Sequence, residues 1–409
     1  MVPMERIAII GAGASGLAAA VAASEARDGA SAASIDIFEG SDRVGRPILA
    51  TGNGRCNFTN SRIDCAQYRN PGFVSAALDA FESAFPKGSH PNGVAAFFAR
   101  RGMLYREEGE GRLYPLANKA SVVLDVLRGS LGTNVNVRLD SRIESIDVPR
   151  EPGGHFTLRT RDGVLHRAER VIVACGGAVA EPLLPHGIAF SQKRPVLCSL
   201  ATDVTHVREL DNIRAKATLS LMRDGEVVAR ESGEVMFRKY GLSGICTFNL
   251  SRLAQPGDEL SVDFLPFVAA DDVQAFAAGR LAELAAAYPG GVDCAGFLRG
   301  MMLPRVADAL LKRCGISEDS TATGELASRM TSALKDYRAE VKGPGDVEHA
   351  QVQRGGARVE GFDAATLESR DVPGLHVVGE ALDVDGPCGG YNLHWAFASG
   401  IMAGRSCAS

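Results

Sequence analysis

The apolar positions near the start of the chain change period twice. Arg6-Ile7-Ala8-Ile9-Ile10 carries a continuous apolar run of strand length, the pattern of a strand buried on both faces. An Ala-rich stretch follows a cluster of glycines and predicts a helix over residues 15–26. Residues 34–38 alternate and predict a second strand that ends on Glu39. Strand, helix, strand in this order opens a parallel sheet, which needs helices on both faces and so places the chain in the α/β class.

Further on, the pattern predicts helices over 73–84, 93–101 and 120–131, then strands over 135–139, 143–148, 156–159 and 171–174. Residues 40–60 have neither period and read as a long loop, a rarity unless the loop has a function. The texture changes near Pro195. Strand patterns at 217–222 and 227–230 flank Asp224-Gly225, a hairpin signal, and two more lie at 235–238 and 260–264. Helical patterns follow at 271–287, 306–314 and 324–334. Strand character returns near Tyr337 and at 376–378, and a helix is expected over 393–405. The expected organisation is a Rossmann-type domain, 1–195, interrupted by an antiparallel, barrel-like β insert, 196–268, and a helical insert, 269–335. Residues 336–409 then complete the first domain.

Composition changes this picture little. The chain has 409 residues, 45% of them hydrophobic, and a net charge of -5. A mildly acidic chain has no broad field with which to hold nucleic acid or an anionic membrane. The stretch 7–23 has the length of a signal-peptide core, but Gly11, Gly13 and Gly16 suit a turn better, and no other run is long enough for a membrane span. The nine cysteines are scattered with no C-x-x-C pair, which points to a reducing cytoplasm rather than a disulfide frame. Glycine stands out at 46 residues, against a usual share of about 7%.

Those glycines cluster where chemistry is expected. Gly11-Ala12-Gly13-Ala14-Ser15-Gly16 follows the first strand and opens the first helix, the arrangement that sets a pyrophosphate on a helix N-terminus. Glu39, 23 residues past Gly16, is placed for an adenosine ribose, with residues 28–34 taking up the extra length. This fingerprint by itself does not separate FAD from NAD(P). Asp42-Arg43-Val44-Gly45-Arg46-Pro47 and Thr51-Gly52-Asn53-Gly54-Arg55-Cys56-Asn57 place small and hydrogen-bonding residues where backbone lies against a flat ring, which favours FAD. Near the end, Gly379-Glu380 and Asp383-Val384-Asp385-Gly386-Pro387-Cys388-Gly389-Gly390-Tyr391-Asn392 precede a helix. Glu380 suits a ribityl hydroxyl, and Gly389 and Gly390 bring the helix N-terminus to a flavin pyrimidine. Asp383 and Asp385 have no further ligands at metal-binding spacing, so no metal is expected.

The segments IIGAGASGLAAA, GRPILATGNGRCNFTN, EGRLYPLANKAS, GEVMFRKYGLSG and PGLHVVGEALDVDGPCGGYNLHWAFASG resemble the BaiN-like (YhiN-like) family of FAD-dependent oxidoreductases. The resemblance runs from the N-terminus to about residue 405. It implies an FAD domain with a barrel-like and helical insert. It also implies a cofactor lining of Gly11 to Gly16, Glu39, Arg46, Thr51, Gly52, Asn53, Asn57, Ala174, Cys175, Gly176, Gly379, Glu380 and Gly389 to Leu393. The family usually has Thr-Gly-Gly where this chain has Cys175-Gly176-Gly177, and Gln where it has His394. The flavin-facing segments therefore match better than the substrate-facing ones.

No second GxGxxG follows a later strand, so a separate nicotinamide domain is not expected. What remains is a flavin reduced by NAD(P)H at an open face, or by the substrate itself. Members of the family that this chain resembles include a reductase of steroid-type enones, which implies a small-molecule substrate. Tyr391 and His394 are the candidate proton donors. An oxidase of an amine-like substrate and a non-catalytic FAD sensor or scaffold are the alternatives.

Overall fold

The computed structural model describes residues 5–26, 33–151 and 153–408, so the turn expected at 28–34 lies largely outside the described residues. The chain divides into two compact units, residues 1–194 with 352–409 and residues 195–351.

The first unit is built on a five-stranded parallel sheet. Its strands are β1 (Arg6–Ile10), β2 (Ser34–Phe38), β3 (Val135–Arg138), β4 (Arg170–Val173) and β5 (Leu375–Val377), in spatial order β5-β4-β1-β2-β3. Ile10 stands beside Phe38 on one side and Val173 on the other, so β1 is central and its apolar run is buried. Helix α1 (Ala14–Glu25) returns from β1 to β2, and α2 (Tyr391–Ala408) lies against it. The two helices approach through small residues. A Cβ on Gly400 or Gly404 would stand 2.2 Å from the carbonyl oxygen of Ser15 or Ala19, respectively. A three-stranded antiparallel sheet, Ile143–Asp147, Phe156–Thr160 and Leu165–Ala168, adds to this unit.

The second unit is a closed antiparallel barrel of six strands. Their order is Leu200–Thr202, Gly241–Ser243, Glu226–Arg238, Arg214–Arg223, Glu259–Asp263 and Tyr337–Pro344. Asp224 and Gly225 make the hairpin turn with φ of 51° and 85°, the two left-handed residues of a type I′ turn. Phe237 stacks on Phe264 with ring centroids 6.0 Å apart, and Phe264 meets Tyr337 edge to face at 5.8 Å. Helices Val273–Ala287, Pro304–Cys314 and Gly324–Lys335 pack in the same unit.

The structure differs from expectation at four points. The β and helical inserts expected at 196–268 and 269–335 form one unit. That unit extends past 336, because Tyr337–Pro344 closes the barrel between Glu259–Asp263 and Leu200–Thr202. The strands expected at 227–230 and 235–238 are one strand, Glu226–Arg238, paired along its length with Arg214–Arg223. The stretch 40–60 is not a bare loop. It holds the one-turn helix Arg46–Ala50, entered through left-handed Gly45, and the two-residue strand Thr59–Asn60.

Candidate functional site

Three glycine-bearing turns of the first unit meet at the N-terminus of α1. A Cβ on Gly16 would stand 1.9 Å from the Gly11 carbonyl oxygen and 3.3 Å from the Ala174 Cβ. Glycine there lets α1 leave β1 in contact with the end of β4. At Gly13 no atom lies within 4 Å of where a Cβ would be, and no side chain caps the helix. The N-terminus of α1 therefore has room at Gly13 for a ligand group, the setting in which a helix terminus holds a phosphate. Glu39 ties the turn to the end of β2. The Ala12 N–H donates to its Oε2 at 2.9 Å, and the Ser41 N–H and hydroxyl donate to its Oε1 at 2.9 and 2.7 Å. A carboxylate has about four acceptor positions, which leaves one for a ribose hydroxyl.

The second turn is joined to the first where the Gly45 N–H donates to the Ala12 carbonyl at 2.9 Å. Arg46 is exposed and pairs at 3.4 Å with Asp42. Beyond Thr51 the backbone is left-handed at Gly52, Asn53, Gly54 and Cys56, with φ of 54°, 55°, 81° and 59°. Two of these are not glycine, and Cys56 is an unfavoured type for this region, so the segment is strained unless its surroundings impose it. Arg55 imposes it. Its Nε donates to Asn118 Oδ1 at 2.5 Å, its guanidinium pairs with Glu108 and also lies 4.3 Å above the Tyr114 ring. The turn delivers Asn57, which is 9% exposed and whose Oδ1 is fully buried without a hydrogen-bond partner. Burying an acceptor unpaired costs about 1–3 kcal/mol, so this position calls for a donor from a ligand. The pyrimidine edge of a flavin has an N–H of that kind, and the residues present fit the group.

The third turn follows β5. Gly389 and Gly390 have φ of 112° and 96°, and a Cβ on Gly390 would stand 2.5 Å from the Thr59 carbonyl and 2.9 Å from Asn57 Oδ1. The start of α2 is thus set against the second turn. The Asn392 side chain closes the loop, accepting from the Gly386 N–H at 2.9 Å and donating to the Gly386 carbonyl at 2.8 Å. Two ion pairs pin the same loop. Arg354 meets Asp385 bidentately at 2.7 Å, with side chains 11% and 1% exposed, and Arg69 meets Asp383 at 2.7 Å. Asn60 Nδ2 donates to the Gly389 carbonyl at 2.9 Å.

The structure brings Gly11, Gly13, Ala14, Ser15, Gly16, Glu39, Gly45, Thr51, Gly52, Asn57, Ala174, Cys175, Gly176, Gly379, Glu380, Gly389, Gly390, Asn392 and Leu393 into this one unit. Arg46 and Asn53 carry exposed side chains. Burial pushes the Cys56 thiol up to about 11 and the Cys175 thiol up to about 12, so both stay neutral and unreactive. The clamping residues Arg55, Asn60, Arg69 and Arg354 were not among the expected ones. Arg55 and Asn60 lie inside the glycine-rich segment 45–60 without an assigned role, whereas Arg69 and Arg354 act from far away in the sequence and no local motif marks them.

The two candidate proton donors differ. The Tyr391 hydroxyl donates to the Arg62 carbonyl at 3.2 Å and accepts from the Asp64 N–H at 3.4 Å. Burial raises its pKa, which keeps the phenol protonated at neutral pH. His394 is 2% exposed and its Nδ1 lies 2.7 Å from the Thr59 hydroxyl. Burial pushes its imidazole down to about 3, so it stays neutral. Among the described residues no group of three or more His, Cys, Asp or Glu side chains is arranged to hold a metal, and no helix is long and apolar enough to cross a membrane.

Residues 5–406 match the model of the HI0933-like protein Rossmann domain. The chain belongs to this family. It is an FAD-dependent oxidoreductase, in line with the BaiN-like resemblance of its motifs. Family relatives include the 3-dehydro-bile acid Δ(4,6)-reductase of Clostridium scindens, 33% identical over 99% of each chain. The ribosomal RNA dihydrouridine synthase of Escherichia coli K12 is 28% identical over 96% of this chain and 95% of its own length. Among solved structures, the 3-ketosteroid Δ1-dehydrogenase of Sterolibacterium denitrificans is 12% identical, with a TM-score of 0.45 over 98% of this chain and 99% of that one. The quinol fumarate reductase of E. coli is 16% identical, with a TM-score of 0.46 over 99% and 70%.

Proposed function

We propose that the protein is a cytoplasmic reductase of carbon–carbon double bonds conjugated to a carbonyl, in a small steroid-like enone, with NAD(P)H as electron donor. The observation that carries this reading is the likeness, end to end, to a relative named as a bile acid Δ(4,6)-reductase. Bound FAD supplies a two-electron hydride couple. The chain's own residues hold the cofactor's phosphates at α1, offer Asn57 Oδ1 to an N–H donor, and keep a protonated phenol at Tyr391 beside Gly390. In this reading Tyr391 delivers the proton to the substrate's α-carbon, and His394 positions Thr59 and the start of α2.

Anaerobic addition of NADH or NADPH to the yellow protein tests the proposal. Bleaching of the visible band within seconds, followed by recolouring on addition of a steroid enone, is the expected result. Tyr391→Phe is expected to slow recolouring by about 10²–10⁴ while leaving bleaching intact. A band that never bleaches, or that recolours only with oxygen, would move the assignment to a sensor or an oxidase.

A second reading comes from the relatives named as ribosomal RNA dihydrouridine synthases, since dihydrouridine is uridine with its conjugated ring double bond saturated. Both names describe reduction beside a carbonyl. Charge favours the small molecule. The second unit has 17 basic and 22 acidic residues, and the first has 27 of each, so neither offers the net positive charge that RNA phosphates attract. Recolouring by ribosomal RNA but by no enone would reverse this choice.

A further inference from the structure

The two faces of the parallel sheet differ. Ile7, Ile9, Ile35 and Ile37 are fully buried, while Arg6, Ala8, Asp36, Phe38 and Arg138 share the opposite face. Between that face and the antiparallel sheet of the same unit lies a cavity of about 430 Å³. Its second wall is formed by Thr157 and residues 165–168, and none of the three glycine-bearing turns around α1 lines it. Three arginines, Arg6, Arg138 and Arg167, stand on its walls against one carboxylate, Asp36. Arg138 already engages Asp36, with Nε donating to Oδ1 at 3.0 Å. Two carboxylates just outside are also engaged. Glu169 accepts from the Arg6 N–H at 2.6 Å and pairs with His155 at 2.9 Å, and Asp162 accepts from the Thr160 hydroxyl. Among the described residues, the side chains of Arg6, Arg167 and Thr157 have no hydrogen-bond or ion-pair partner.

The cavity also has an aromatic lining. Phe38, 2% exposed, meets the His166 ring edge to face with centroids 4.8 Å apart, and the Arg138 guanidinium lies 5.8 Å from the Phe38 ring centre. Burial, with Arg138 adding to it, lowers the His166 imidazole, so the ring is neutral at pH 7. The strand Leu165–Ala168 is the last of its sheet, so one edge of its backbone has no strand partner. Unpaired guanidinium groups beside flat rings recognise an anion carried on a flat apolar body. The volume suits such a molecule, since ligand sites run from about 300 to 1,000 Å³. We propose that this cavity is a second binding site, separate from the flavin cradle, for a small organic anion. Its carboxylate or phosphate group lies between Arg6 and Arg167, and its flat body lies against Phe38 and His166.

The test uses the yellow holoprotein, whose cofactor site is filled, with calorimetric titration of phenyl phosphate and of benzoate. Saturable binding of at least one probe, one per chain, is expected, and the probe that binds tells phosphate from carboxylate recognition. Arg6→Ala and Arg167→Ala are each expected to weaken it about tenfold or more, the effect of losing a hydrogen bond to a charged group. Both arginines are exposed, so the variants are expected to fold, which circular dichroism checks. Arg161→Ala, which removes an exposed arginine of the same antiparallel sheet outside the cavity, is expected to leave the affinity unchanged. Absence of saturable binding, an affinity unchanged in either cavity variant, or inorganic phosphate binding as tightly as the probe would overturn the inference. Release of flavin in step with probe binding would overturn it too, because the probe would then occupy the cofactor's cradle. A preparation that never binds FAD would instead sink the proposed function.

Discussion

The α1–α2 pair of the first unit and the barrel of the second are packed in opposite ways. In the first, α1 is Ala-rich and almost wholly buried, and α2 sets Gly400 and Gly404 directly against its carbonyl groups. Backbone packs on backbone. In the second, the interior is made by large rings and branched side chains, Phe237, Phe264, Tyr337, Leu219 and Val262, inside a closed barrel. A helix pair that touches through carbonyl oxygens has no side chain to rearrange, so its geometry is fixed, and the three turns that depend on it are fixed with it. A core of large side chains accommodates exchange at a moderate cost. The α1–α2 cradle is therefore expected to respond to mutation in an all-or-none way, and the barrel in a graded one.

Gly16→Val is the harshest test of that contrast. With its Cβ due 1.9 Å from the Gly11 carbonyl, backbone must move, and a colourless protein, or none that folds, is expected. Retention of the visible flavin band would break the comparison. Phe237→Ala, in the barrel, is expected to cost about 3–5 kcal/mol in chemical denaturation while the folded protein stays yellow. Asp385→Asn leaves the Arg354 guanidinium, 11% exposed, without its bidentate partner, and a loss of about 3–5 kcal/mol together with weaker FAD retention is expected.

Two smaller effects depend on pH and have opposite signs. The Glu380 carboxyl is raised to about 7, so the folded state holds a proton that the unfolded state releases near pH 4.5. Its contribution is fully present below about pH 4.5 and is lost as pH rises through 7, by up to about 3 kcal/mol. Glu380→Gln should flatten that part of a stability-against-pH curve. His394 is lowered to about 3, so the unfolded state takes up a proton that the folded state refuses. Its contribution is present above about pH 6.5 and falls as the pH drops, by about 2 kcal/mol at pH 5. His394→Asn should make the acid limb shallower by one proton, and an unchanged limb would mean that the ring protonates in place.

Local pattern made much of the first unit legible. Ile7 to Ile10 read as a buried strand, and the spacing of Gly11, Gly13 and Gly16 between strand and helix announced a phosphate-binding turn. The second turn was legible as chemistry but not as structure, because a one-turn helix such as Arg46–Ala50 is shorter than any detectable period. What stayed hidden was long-range. The pairing of Arg354 with Asp385 or of Arg69 with Asp383, and the support of Arg55 by Glu108, depend on residues that the chain brings together only when folded. The barrel's last strand was misplaced for the same reason. Tyr337–Pro344 alternates like any strand, and only its partners, Glu259–Asp263 and Leu200–Thr202, say which unit owns it.

The pairing of α1 with α2 also sets an order of events during synthesis. The helix that opens the cradle, Ala14–Glu25, must wait for Tyr391–Ala408, which lies beyond the whole second unit in the chain. Residues 195–351 emerge whole before that, and the barrel they form has all its strands in hand. Domains fold as units as the chain grows, and contacts between distant parts of a sequence form slowly. The second unit is thus the first to be finished. The nascent first unit spends most of translation as a sheet with an exposed Ala-rich helix, unable to hold its cofactor until α2 arrives.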